Sequence, residues 1–235
     1  MAHVGPAPEA VPAQPTLHGQ ADRRDANGGP GGQGVPGTIQ TVEAADDDGP
    51  LTIGVAIAVP EPHATMLQEV RIRHGDLQAL TIPTHVTILP PTPIAADDLE
   101  RVYDHLAAAA AATVPFRIEL LGTDSFRPVS PVVFVPLVRG AGACAALASR
   151  VRSGPLARDL DFSYHPHVTI GHNIPDAQLD GAEREGRGVH IDFIATEVVL
   201  YLRDGREVWS RVAGFAFTAE LLDEVLGLGD ESARS

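Results

Sequence analysis

The 235-residue chain has no lysine. All 17 of its basic residues are arginine, set against 31 aspartates and glutamates, so the formal charge is −14. Long nucleic acids are held mainly by neutralising many phosphates, and an acidic chain of this kind is unsuited to an extended duplex. A local arginine can still fork onto one or two phosphate oxygens, which keeps small anionic substrates and the end of an RNA within reach. The single cysteine, Cys144, excludes an internal disulfide and a cysteine zinc cluster. No stretch approaches the roughly 20 continuous apolar residues of a membrane helix. The N-terminus lacks a basic segment followed by an apolar run, so no secretory signal is expected. A cytoplasmic location and a monomeric state are the corresponding expectations. Residues 1–50 contain no Phe, Tyr or Trp and are crowded with Gly, Pro, Ala, Gln and Asp. Such a segment cannot bury enough apolar area to offset its conformational entropy and reads as a disordered tail.

What is present is a chain whose 44% hydrophobic content can build a substantial core. Within it, His85-Val86-Thr87-Ile88 returns 82 residues later as His167-Val168-Thr169-Ile170. In an extended strand the side chains alternate between faces, so the His and Thr of each copy share one face while Val and Ile share the other. One His-x-Thr on a strand is an ordinary core feature. Two identical copies, each after a proline-containing approach (Ile82-Pro83-Thr84 and His165-Pro166) and half the folded chain apart, are poorly explained by coincidence. Two imidazoles that titrate near neutral pH and two hydroxyl donors, apposed across a cleft, suit acid–base chemistry on a phosphate.

The surrounding pattern alternates strands and helices. Residues 51–59 read as a buried strand and 62–74 as a helix with Arg71 and Arg73 on its exposed face. A motif strand over about 84–90 is expected to end at Pro90-Pro91. Asp97-Asp98 head a helix through about Ala112 with an apolar stripe of Leu99, Val102, Tyr103 and Leu106. Strands follow at 116–121 and 132–137, then a small-residue helix at 141–153, the second motif strand at about 167–171 and a short helix at about 176–185. Residues 189–194, 197–203 and 208–217 read as strands, the last two joined at Asp204-Gly205. Thr218 caps a final helix to about Leu226. This order predicts an α+β fold: a bilobal, pseudo-two-fold arrangement of two mostly antiparallel sheets with helices on the outer faces and a central cleft. The expected organisation is a tail over 1–50, a two-lobed domain over 51–228 and a disordered C-terminus over 229–235.

The paired His-x-Thr motifs, the segment from Phe126 through Arg127-Pro128 to Phe134 between them, and the Tyr164-His165-Pro166-His167 approach resemble the two-histidine phosphoesterase superfamily, and within it the bacterial 2′-5′ RNA ligase or RNA cyclic phosphodiesterase group. The resemblance covers about residues 51–217. It implies hydrolysis of cyclic phosphates or 2′-5′ linkages without metal or other cofactor, some relatives running the reverse, ligating reaction. It also implies His85 and His167 as the catalytic histidines and Thr87 and Thr169 as phosphate-binding residues. The expected partner is a small phosphoester or RNA-terminal substrate. Phe126 and Tyr164 are candidates for stacking on a base, with core packing as the competing role. Arg127 is a candidate phosphate ligand, whereas Arg203 and Arg206 read as solvated hairpin residues.

Two rival readings stand beside this one. His165, His167 and His172 lie close in sequence and could ligate a metal, although no acidic ligand has matching spacing. A non-catalytic phosphate- or nucleotide-binding module would keep the same site without turnover. Gly140 and Gly142 are followed by no Lys-Ser/Thr, which excludes a P-loop.

Overall fold

A computed structural model of the protein describes residues 50–159 and 162–218. The expected tail through residue 49, the body of the helix predicted from Thr218 and the C-terminus beyond it lie outside the described residues. In chain order the elements are β1 (Leu51–Ala58), α1 (His63–Arg73), β2 (His85–Ile94), α2 (Leu99–Ala111), β3 (Phe116–Leu121), β4 (Asp124–Ser125), β5 (Val132–Arg139), α3 (Ala141–Val151), β6 (His167–His172), α4 (Asp176–Gly186), β7 (His190–Ala195), β8 (Glu197–Arg203) and β9 (Trp209–Ala216).

The strands form two antiparallel sheets. The first has the order β2-β1-β8-β9; in the second, β5 pairs with β3, β4 and β6, and β3 pairs with β7. Among the described residues β2 pairs only with β1 and β6 only with β5, so each motif strand is the edge of its sheet. The edge position explains why Pro90-Pro91 does not end β2 as expected. A strand with one unpaired side tolerates residues that lack an N–H, and β2 runs through both prolines to Ile94.

The two halves match residue by residue. In β2, Leu89 pairs with Val55 and Thr87 with Ala56, so Ile88 is the extra residue of a bulge. In β6, Gly171 pairs with Val133 and Thr169 with Phe134, so Ile170 is extra in the same way. Bulges of this kind bend a strand and re-aim its side chains. The burial pattern is accordingly identical through both motifs: His and Thr are half-buried, and Val, Ile and the next residue are buried.

The helices cross between the halves. The helix joining β1 to β2, α1, packs behind β6, and the helix joining β5 to β6, α3, packs behind β2. Val86, Ile88, Val168 and Ile170 are fully buried in the shared core. Full burial of a side chain of this size contributes about 1.5–3 kcal/mol. Strands also cross, since β3 follows α2 yet joins the second sheet, and β8 follows β7 yet joins the first. The second sheet is therefore built from one continuous stretch, β3 through β7, inserted between the two pairs of strands that make the first.

One helix differs from expectation. Arg71, read as exposed, is buried, and its Nε donates to the carboxylate of Asp76, also buried, at 2.8 Å. Asp76 in turn accepts from the backbone N–H of Gln78, capping a short turn before β2. Helical periodicity alone did not show that α1 is covered by the other half's strand. Removing one member strands the other's buried charge, which costs about 3–5 kcal/mol. Asp76→Ala should lower the unfolding free energy by that amount in urea titration, and a loss below about 1 kcal/mol would contradict this account.

Candidate active site

The two histidines are held alike. His85 Nδ1 lies 2.6 Å from the carbonyl oxygen of Pro83, and His167 Nδ1 lies 2.7 Å from the carbonyl oxygen of His165. A carbonyl can only accept, so each Nδ1 carries the hydrogen and donates it to the residue two positions back. In the neutral ring, Nε2 is then the free basic nitrogen, and in the protonated ring it is an outward-facing donor. His85 Nε2 accepts from the Thr87 hydroxyl at 3.1 Å. Among the described residues, the only ring hydrogen bond of His167 is the one from Nδ1.

Electrostatics treats both rings similarly. Burial pushes His85 below the ordinary histidine value of 6.5; the Pro83 carbonyl works against that shift and the Arg71 charge adds to it. His167 is also lowered, first by burial, with the His165 carbonyl opposing and the charges of His165 and His85 reinforcing. That the two rings sense each other follows from the packing of β2 beside β6.

The surface around each motif is partly aromatic. On the second sheet, Phe134 pairs with Thr169, and its ring lies 5.0 Å from that of His167. Phe126 sits 4.2 Å from Phe134 and meets His167 edge-to-face at 5.0 Å and 87°. Phe126 therefore touches a motif histidine directly and packs on the core at the same time. On the first sheet the residue facing Thr87 is Ala56, backed by Val199 and Tyr201 with Trp209 packed against them. The sequence pattern gave no sign of Phe134 here, because an apolar run buried on both faces does not show which side lines a site.

Tyr164 bridges the halves. Its hydroxyl donates to the carbonyl of Thr87 at 2.8 Å, its ring packs on the main core, and the Arg152 guanidinium lies 5.5 Å from the ring centre. Burial raises its phenol above the ordinary value, keeping it a neutral donor. The structure gives Tyr164 the position of a strut. Arg127 is engaged by acidic partners: its guanidinium donates to Asp180 at 2.7 Å and Glu183 at 2.8 Å on α4, and to Ser125 Oγ at 3.1 Å. That engagement leaves its fork occupied by carboxylates and ties the Phe126 loop to α4.

The three histidines near the second motif do not converge. His172 lies at the far end of β6, its Nδ1 against Gln78 Oε1 at 2.8 Å. Among the described residues no group of three or more His, Cys, Asp or Glu comes together in a way that could hold a metal ion.

Two antiparallel sheets, each offering His and Thr from an edge strand and placed edge beside edge, define the two-histidine phosphoesterase architecture. The chain belongs to the 2′-5′ RNA ligase superfamily, whose family model matches residues 59–207 and so includes both motifs. A phosphoesterase-named protein of Halalkalibacterium halodurans is 30% identical over 129 residues, which are 55% of this chain and 74% of that protein. A similarly named protein of Geobacillus kaustophilus is 28% identical over 128 residues, 54% of this chain and 73% of its own length. The crystal structure of E. coli LigT complexed with NADP+ covers 72% of this chain and 99% of its own with a TM-score of 0.50 at 20% identity, a likeness of fold.

Both motif rings bind protons more weakly in the folded chain than in the unfolded one. The unfolded chain therefore takes up more protons as the pH falls below 6.5, and the rings' contribution lowers stability through that window. NMR titration of the two imidazoles should give midpoints below 6.5, and midpoints at or above that value would contradict the dominance of burial.

Proposed function

We propose that this protein hydrolyses a 2′,3′-cyclic phosphate or a 2′-5′ phosphodiester, on a small nucleotide or an RNA end, using His85 and His167 as an acid–base pair. The observation that carries the reading is the duplicated anchoring of the rings: each Nδ1 is bonded to a carbonyl two residues back, at 2.6 and 2.7 Å, which commits each Nε2 to whatever lies between the strands. Membership of the superfamily supports the reaction class.

In the hydrolytic direction one neutral ring takes a proton from water as the water oxygen bonds to phosphorus. The P–O bond to the ribose oxygen breaks, and the other ring, protonated, delivers its proton to that oxygen. The rings exchange protonation states in one turnover and reset through solvent. Thr87 and Thr169 hydroxyls, half-buried on the same face, donate to non-bridging oxygens where negative charge develops. Thr87 must turn from His85 Nε2 toward the substrate to do so. Reversal of direction exchanges the roles of the two histidines.

The pH dependence follows from the lowered rings. At neutral pH the free protein holds both largely unprotonated, and the singly protonated form grows as the pH falls. The profile of kcat/KM should be bell-shaped with its optimum below pH 6.5. The profile of kcat should lie at higher pH, because a bound phosphate anion favours the protonated ring.

His85→Ala and His167→Ala should each lower kcat/KM on 2′,3′-cyclic nucleotides and a 2′-5′ dinucleotide by about 10²–10⁴-fold, in the presence of chelator and without loss of folded protein by circular dichroism. Turnover that survives in either variant contradicts the reading. Ligand binding without turnover in the wild type would favour a non-catalytic module.

A further inference from the structure

The two motifs are identical over four residues from the histidine, and among the flanking positions that differ is the one two residues before it. The first motif has Pro83 at that position and the second has His165. Both residues supply the carbonyl that anchors the following histidine, so the backbone role is shared and the His165 side chain is left over. That side chain is exposed. Its ring centre lies 6.3 Å from that of His167, and Phe126 stands edge-to-face against both rings, 5.5 Å from His165 and 5.0 Å from His167. A third imidazole thus flanks the paired site on the second sheet only. The ring also meets Phe134 at 5.4 Å, so one side rests on the two phenylalanines while the residue stays exposed, and it takes no part in the proton transfers described above.

We propose that His165 binds a second anionic phosphate of the substrate, adjacent to the phosphate held between His85 and His167, and so directs the anionic end of the ligand toward β6. The proposal rests on the acid–base reading and names a narrower substrate class: a cyclic phosphate or 2′-5′ ester that carries a further phosphate group, in preference to an isolated nucleoside cyclic phosphate. A protonated or a neutral imidazole offers an N–H to a phosphate oxygen, and in a chain without lysine it is the exposed donor adjoining His167. The alternative cation on this side, Arg127, is held by Asp180 and Glu183. Phe126 fixes the separation of the two rings, which places two neighbouring phosphates of one ligand on two neighbouring imidazoles.

The test compares calorimetric binding of adenosine 2′-phosphate and adenosine 2′,5′-bisphosphate to the full chain and to its His165→Gln variant. The wild type should bind the bisphosphate about tenfold more tightly, and the variant should bind both alike with the monophosphate affinity unchanged. Equal wild-type affinities, a preference that survives in the variant, or an equal loss for both ligands would overturn the proposal. Turnover of a 2′,3′-cyclic nucleotide without a 5′-phosphate is measured alongside. Absence of turnover in the wild type would refute the acid–base reading, while the binding ratio would still decide the role of His165.

Discussion

Two edge strands that are not hydrogen-bonded to each other must lie side by side for this site to exist. Each is secured within its own sheet, β2 to β1 and β6 to β5, and the connection leading into β6 is tied to β2 by the Tyr164 hydroxyl donating to the Thr87 carbonyl and by Arg158 donating to Thr92 Oγ1. Packing supports the link from behind, because α1 covers β6 and α3 covers β2. A histidine pair divided between two strands is sensitive to any slip of one past the other. The shared core, with Val86, Ile88, Val168 and Ile170 all fully buried, makes such a slip expensive. The hydrophobic half of each motif therefore aims its polar half.

The near-identity of the two halves reaches the level of single residues. The same bulge, at Ile88 and at Ile170, turns each strand just after its threonine. The same bond from Nδ1 to a carbonyl sets each ring. Symmetry of this kind fits a reversible transfer in which acid and base exchange roles. The halves depart from symmetry in the His85–Thr87 hydrogen bond and in what surrounds the pair: Ala56 faces Thr87 where Phe134 faces Thr169, and Pro83 stands where His165 stands. These differences give a ligand two unlike ends to meet.

The motif pair and the order of elements were legible in the sequence because they depend on local rules: alternation in strands, apolar stripes in helices, glycine and proline between them. Fold class and most element positions followed. Three features were not legible, each for a physical reason. Arg71 read as exposed because helical spacing cannot reveal a second layer supplied by the distant β6. Pro90-Pro91 read as a stop because edge status depends on which strands pair. Arg127 read as a phosphate ligand because the carboxylates that hold it, Asp180 and Glu183, lie more than fifty residues away in sequence. Tyr164 stood on the correct approach to the motif, and its bond to Thr87 arises only when the two halves meet.

The central claim is that His85 and His167 act on one phosphate. It is tested most directly by a crystal structure of the protein soaked with inorganic phosphate. The account predicts a single ion between the strands, with oxygens in hydrogen-bonding contact with Nε2 of both histidines and the hydroxyls of Thr87 and Thr169. An ion bound to one histidine alone, with the other ring turned away, would contradict it.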